Sequence, residues 1–480
     1  MSMFDTIIRG ARLMDGTGAE PFVADLCIAD GEIAAIGDFS GFRAKEEFQA
    51  DGRVLAPGFI DVHTHDDLHV IHHPSMLPKL SQGVTTVIVG NCGISAAPLR
   101  LVDEPPDPIN LLGEGPDFTY PCFADYVDAV NRAIPAVNVA ALVGHTSLRS
   151  NHMDSFQRPA TAAEIAAMKI ELAQALRAGA LGLSTGLAYR NARCAPTSEV
   201  EALAAALEEG GGLYVSHIRS EDDAIIAAID EAIGIGMAAN VDVVISHLKC
   251  AGRRNWGRSG EVLEHIGRPR TRHALSCDCY PYAASSTTLD PAIVDEMIDI
   301  RITWSTPWPD MAGRMLAEIS QLWGVSQVEA ARRLEPAGAI YHEMQEVDVQ
   351  RILAHPATMI GSDGLPNDPR PHPRLWGTFA RVLGRYSREM NLFPLQEAVR
   401  KMTGLSAQRF GLKGRGELKP GYFADLVLFD PDRIADCATF DAPTRAARGI
   451  EAVWVNGVLS WREDATTGKR AGRFIARHTS

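Results

Sequence analysis

Short apolar runs recur along the middle of the chain, and most are followed by a longer stretch with helical periodicity. Eight such runs stand out: Gly58–Val62, Val84–Val89, Asn138–Val143, Ala180–Leu183, Leu213–Ser216, Val241–Ser246, Ala274–Asp278 and Thr358–Gly361. Stretches such as Ala160–Ala178 and Val200–Glu209 read as the helices between them. Strands alternating with helices specify a parallel sheet, and eight such units predict a closed (β/α)8 TIM barrel rather than an open sheet.

Both ends behave differently. Asp5–Ile8 and Ala24–Ile28 alternate briefly, and Asp30-Gly31 is a hairpin signal before Glu32–Ile36. Ala424–Asp430 and Ala452–Asn456, closed by Asn456-Gly457, read the same way. Residues 1–56 and 414–480 are therefore expected to meet in a small β-sandwich, with the barrel over 57–413. The barrel's excess length lies in an insertion after the seventh strand, residues 285–350, with Trp and Pro near Trp304–Pro309 and helical pattern beyond. Insertions at the C-terminal ends of barrel strands fall at the catalytic face, so a lid is expected there.

Composition narrows the setting without changing this picture. The 480 residues are 46% hydrophobic and 22% charged, as in an ordinary globular protein. A net charge of −14 argues against a nucleic-acid or anionic-membrane surface. No run approaches the roughly 18 apolar residues of a membrane helix, and the start lacks the apolar core of a signal peptide. The eight cysteines are too sparse for a disulfide scaffold. A cytoplasmic setting follows, in which a cysteine beside histidines reads as a ligand or nucleophile. The oligomeric state is not legible.

The chemistry gathers at the strand ends. His63 and His65 lie two apart after the first strand, so both can face one ion. By itself that pair could be two ordinary polar side chains. Cys92 follows the second strand, His217 ends the fifth, His247 the sixth and Asp363 the eighth. Catalytic groups of such barrels come from the C-terminal ends of different strands, and five strands here each place a zinc-type ligand there. Cys277 and Cys279 have no partner pair and are expected to pack in the core. His145 reads as structural, or as a partner of the ligands. His69, His72 and His73 fall in the first loop.

This arrangement resembles the amidohydrolase superfamily, with its His-x-His, the fifth- and sixth-strand histidines and the eighth-strand Asp. Within it the chain is similar to the N-acyl-D-amino-acid deacylases, or D-aminoacylases. The carriers are Val62–Asp67, Gly90-Asn91-Cys92-Gly93, Leu183–Tyr189, Ser362–Pro366 and Pro371–Gly377, while Gly416–Val427 is similar to the superfamily's return into its small β domain. Many superfamily members bridge two metals with a lysine of the fourth strand, but Gly182–Gly186 holds none. The resemblance gives that task to Cys92. It implies zinc held tightly by Cys92, His217 and His247, with His63, His65 and Asp363 framing a second, weaker position. It implies Asp363 as general base and acid, and Tyr189 near the scissile carbonyl. It assigns Lys249, Arg374, Tyr280 and Ser286 to the substrate's α-carboxylate.

The expected activity is zinc-dependent hydrolysis of N-acyl-D-amino acids, with the small molecule as partner. Two other readings are a cyclic-amide hydrolase of the hydantoinase or dihydroorotase kind, which the missing lysine opposes, and a non-catalytic scaffold, which would have lost ligands. The side-chain pocket is expected near Thr287–Ile293. No cation stands there, which favours hydrophobic D-amino acids unless Arg301 turns inward.

Overall fold

The computed structural model describes residues 4–268 and 273–477. Eight parallel strands close the barrel: Phe59–Asp61, Val84–Val89, Asn138–Ala141 continued by Val143–Gly144, Gly182–Gly186, Leu213–His217, Val243–Ile245, Leu275–Cys279 and Thr358–Ile360. Neighbours pair in chain order. The eighth strand returns to the first through Asp363 N–H to His63 O at 2.7 Å and a parallel bridge between Thr64 and Gly364.

The period-2 alternation sorts the barrel side chains into two cores. Ile60, Val62, Ile88, Leu142, Val215, Val244 and Met359 share one cluster. Val87, Val139, Leu183, Tyr214, Ile245 and Cys277 belong to a second, with the helical residues Leu172, Leu176, Leu203 and Ile229. The helices run Ala162–Arg177 and Thr197–Gly210 where the periodicity predicts them. Among the described residues no helix is long and apolar enough to cross a membrane.

The fourth strand lies two to three residues later than its apolar signal. It opens and closes on glycine because its neighbours leave no room for a Cβ: Leu213 backbone presses on Gly182 and the Cys92 carbonyl on Gly186. Propensity alone disfavours glycine in a strand, so the run conceals itself.

The two chain ends share one nine-stranded sheet. Phe4–Leu13 pairs with Phe22–Ala29, Ala44–Gln49 and Val54–Pro57, and the last of these pairs with Leu426–Phe429 from the far end of the chain. Phe48 and Trp454, on different strands, meet edge to face at 5.1 Å. After Pro57 the chain passes directly into the first barrel strand, so this sheet anchors the base of the His63 loop. The insertion is not simply helical. It holds a three-stranded antiparallel sheet of Ser285–Thr288, Ala337–Tyr341 and Ile300–Ser305, on which the helices Leu316–Trp323 and Gln327–Leu334 pack in a separate apolar cluster.

Candidate active site

Three candidate donors sit just past strand ends in a backbone conformation that L-residues rarely adopt: Cys92 at φ 55°, His247 at φ 33° and Asp363 at φ 48°. Such conformations persist where surrounding contacts over-determine them, and they gather at functional sites. The result is a convergence of side chains separated by up to 300 positions. Cys92 Sγ lies 3.2 Å from His63 Nε2 and 3.3 Å from His247 Nε2, and His247 Nε2 is 3.0 Å from His217 Nδ1. Asp363 Oδ1 lies 3.2 Å from His65 Nε2 and 3.5 Å from His63 Nε2.

The donors fall into two groups that share the cysteine. One is Cys92, His217 and His247; the other is His63, His65, Cys92 and Asp363. All of them are buried. Burial opposes the Cys92 thiolate, but His63 and His247 outweigh it and hold the thiol well below its usual range. Metal binds a cysteine sulfur in its deprotonated form. A thiolate amid imidazoles is a donor set suited to zinc.

Carboxylates stand behind the imidazoles, as they do around many metal ligands. Asp278 lies 3.3 Å from His63 Nδ1 and accepts the His247 backbone N–H at 3.0 Å. Glu221 Oε1 is 2.9 Å from His247 Nδ1 and 2.6 Å from Lys249 Nζ. Neither stands out from sequence. Asp278 sits between Cys277 and Cys279, whose side chains pack into the core, so the same alternation turns the aspartate to the opposite face. Beneath His63 and Asp363, the buried Lys79 Nζ contacts Asp61, Thr64, Asp66 and Ser362.

The expected substrate residues gather beside the donors. Arg374 is fully buried. Its Nη1 lies 2.9 Å from Asp363 Oδ2, its Nη2 donates to Ser286 O at 3.0 Å, and its guanidinium lies over the Tyr280 ring at 4.6 Å. The hydroxyls of Tyr280 and Ser286 are buried without a hydrogen-bond partner. Tyr189 lies tilted against His217 with ring centroids 4.9 Å apart, and its oxygen accepts from Thr287 Oγ1 at 3.3 Å. A cavity of about 700 Å³ opens over this floor, lined by Tyr189, His217, Lys249, Ser286, Ile293 and Asp363 among others.

Other expectations divide. Cys277 packs in the core against Thr358. His145 pairs with Glu199 at 3.0 Å, in a buried cluster with Arg149, apart from both donor groups. His69 and His72 bound a short helix in the first loop. Arg301 does not turn inward: it binds Phe440 O at 3.1 Å and Asp441 at 2.9 Å, because those acceptors lie on its own side of the inserted sheet. Arg190 and Arg193 do line the cavity, and both pair with Asp290.

Comparison with known proteins agrees with this geometry. The profile of the amidohydrolase family matches residues 46–460. The D-aminoacylase of Alcaligenes xylosoxydans xylosoxydans is 50% identical over 474 residues, covering 99% of this chain and 98% of its own. The N-acyl-D-glutamate deacylase of the same organism is 48% identical over 477 residues, covering 99% and 97%. The crystal structure of N-acyl-D-glutamate deacylase from Bordetella bronchiseptica, complexed with zinc and a phosphonate mimic of the tetrahedral intermediate, superposes with a TM-score of 0.95. It is 48% identical, and the match covers 98% of this chain and 99% of that one. The chain belongs to the amidohydrolase family, within its group of N-acyl-D-amino-acid deacylases.

Proposed function

We propose that this chain is a zinc-dependent hydrolase of N-acyl-D-amino acids, releasing a carboxylate and the free D-amino acid. The observation that carries the reading is Cys92, a thiolate common to two histidine-containing donor groups on the cavity floor. Cys92, His217 and His247 would hold the tight zinc, and His63, His65 and Asp363 would frame the weaker position. Bound zinc supplies polarisation of the amide carbonyl and a water acidic enough to lose its proton near neutral pH.

The protein's own groups do the rest. Arg374 and Lys249 take the α-carboxylate, Arg374 in the planar fork suited to it. The Tyr280 and Ser286 hydroxyls complete that site. A buried hydroxyl without a partner costs about 1–3 kcal/mol, and a bound carboxylate satisfies both. Tyr189 accepts from Thr287 and so keeps its own proton to donate to the scissile carbonyl oxygen.

Asp363 takes the proton of the attacking water and passes it to the departing amine. Burial would raise its pKa, but Arg374 and His63 outweigh burial and hold it well below the usual carboxylate range. A substrate carboxylate on Arg374 offsets that cation and makes Asp363 a better base. The base is thereby strengthened when substrate is in place.

We read residues 1–56 and 414–480 as a small β domain built on one nine-stranded sheet rather than on the two sheets of a sandwich, 57–413 as the barrel, and 285–350 as a lid over the cavity. Ala292, Ile293, Val294 and Ile298 of the insertion line that cavity beside Arg190, Arg193, Arg253 and Arg254, and on the apolar set we base a preference for hydrophobic side chains such as D-Leu, D-Met or D-Trp. All eight cysteines are unpaired, which suits a reducing cytoplasm.

The test is metal analysis followed by a panel of N-acetyl-D- and N-acetyl-L-amino acids with zinc present. Bound zinc and D-selective release of amino acid are expected. A chain without zinc, or one that releases nothing from any N-acyl-D substrate, rejects the function. A higher kcat/KM for N-acetyl-D-glutamate than for N-acetyl-D-leucine rejects the side-chain preference alone.

A further inference from the structure

Lys79 is a fully buried cation that touches neither the cavity nor any donor atom. Its Nζ reaches Asp61 Oδ2 at 2.7 Å, Thr64 Oγ1 at 2.9 Å, Ser362 Oγ at 3.0 Å and Asp66 Oδ2 at 3.1 Å. Both hydroxyls accept from the ammonium and donate a hydrogen bond onward, Thr64 to Asp66 at 2.8 Å and Ser362 to Asp61 at 2.6 Å. Burial opposes the charge, and Asp61 and Asp66 overcome it, so Lys79 stays an ammonium.

The positions it grips are specific. Thr64 stands between His63 and His65. Ser362 precedes Asp363, the aspartate with φ 48°. Asp61 Oδ1 accepts the backbone N–H of Ser362 at 2.8 Å, and Ser362 Oγ accepts that of Gly364 at 3.1 Å. The network therefore fixes the backbone on either side of every donor in the second group except Cys92. No partner of Lys79 adjoins Cys92, His217 or His247 in sequence.

We propose that Lys79 is a positioning residue: through Thr64 and Ser362 it braces His63, His65 and Asp363 and so sets the affinity of the second metal position, leaving the Cys92–His217–His247 position unaffected. The inference rests on the ligand assignment above. A donor set spread over two loops binds an ion well only if those loops are held in register, and outer partners of metal ligands are worth about 10- to 100-fold in affinity. The Cys92–His217–His247 group is supported instead by Glu221, and by Asp278, which also faces His63.

The experiment is a titration with chelator-buffered zinc, reading each ion's dissociation constant in the full chain and in Thr64→Val, Ser362→Ala and Lys79→Met. Thr64→Ser, which keeps the hydroxyl, is the rescue. In the first three the second ion is expected to weaken at least about tenfold, with the first held within about twofold, and Thr64→Ser to match the parent. Should Lys79→Met fail to fold, the two hydroxyl variants decide. Unchanged second-ion affinity in those variants overturns the proposal. So does equal weakening of both ions, or a parent chain that takes up one ion at every zinc level. D-selective amide hydrolysis by the parent is read separately, so the failure of one reading is distinct from the failure of the other.

Discussion

Arg374 Nη1 lies 2.9 Å from Asp363 Oδ2, so the cation assigned to the substrate's carboxylate also faces the carboxylate assigned to the water. Truncating one partner of a buried charge pair costs about 2–5 kcal/mol. Arg374→Met is therefore expected to lower kcat/KM by roughly 30-fold or more, with a higher KM. Arg374→Lys should recover only part of this, since an ammonium lacks the planar fork. Steady-state kinetics on the best N-acetyl-D-amino acid decides; an unchanged KM in Arg374→Met would remove it from substrate binding.

Asp363→Asn keeps the shape of the side chain and removes its basicity. A drop in kcat of about 10²- to 10⁴-fold is expected, with the ion at Cys92, His217 and His247 retained. Metal analysis beside single-turnover rates separates the two roles of Asp363. A normal kcat together with loss of the second ion would leave it as a ligand alone.

Cys92 belongs to both donor groups, whereas His65 belongs to one. Cys92→Ala should lose tight zinc and activity together. His65→Ala should lose only the weaker ion. Zinc content after dialysis against a mild chelator reads this directly, and a Cys92→Ala chain that keeps its zinc would refute the shared-thiolate arrangement.

Glu199 offers a pH dependence remote from the donors. Burial would raise its carboxyl, but hydrogen bonds from His145, the Ala160 N–H and Arg149 prevail and bring it to about 2, from 4.5. A depressed pKa contributes stability that is complete above the unfolded value and is lost as pH falls through the folded one. The contribution is on the order of 3 kcal/mol. Calorimetry of the parent and Glu199→Gln should show a difference in Tm that is full above pH 4.5 and shrinks toward pH 2. A difference that is constant across that range would contradict it.

Alternation and helical periodicity determine the eight-fold repeat of strand and helix, because each is a local property of a few consecutive residues. That is also why His63, His65, Cys92, His217, His247 and Asp363 are legible at strand ends: the end of an apolar run marks the catalytic edge of a barrel. What the tertiary structure decided lies in relationships between distant segments. Lys79 looks like a surface lysine until Asp61, Thr64, Asp66 and Ser362 close around it. Asp278 is hidden between two core cysteines, and Glu221 sits in an unremarkable loop. Arg301 could point either way along the chain, and only the neighbouring Asp441 turns it out. Gly182 and Gly186 read as breaks in a strand, yet the close approach of Leu213 and Cys92 requires them. The sequence points to the candidate donors because strand ends are local. Their supports and charges depend on which loops meet, and that is set only when the barrel closes.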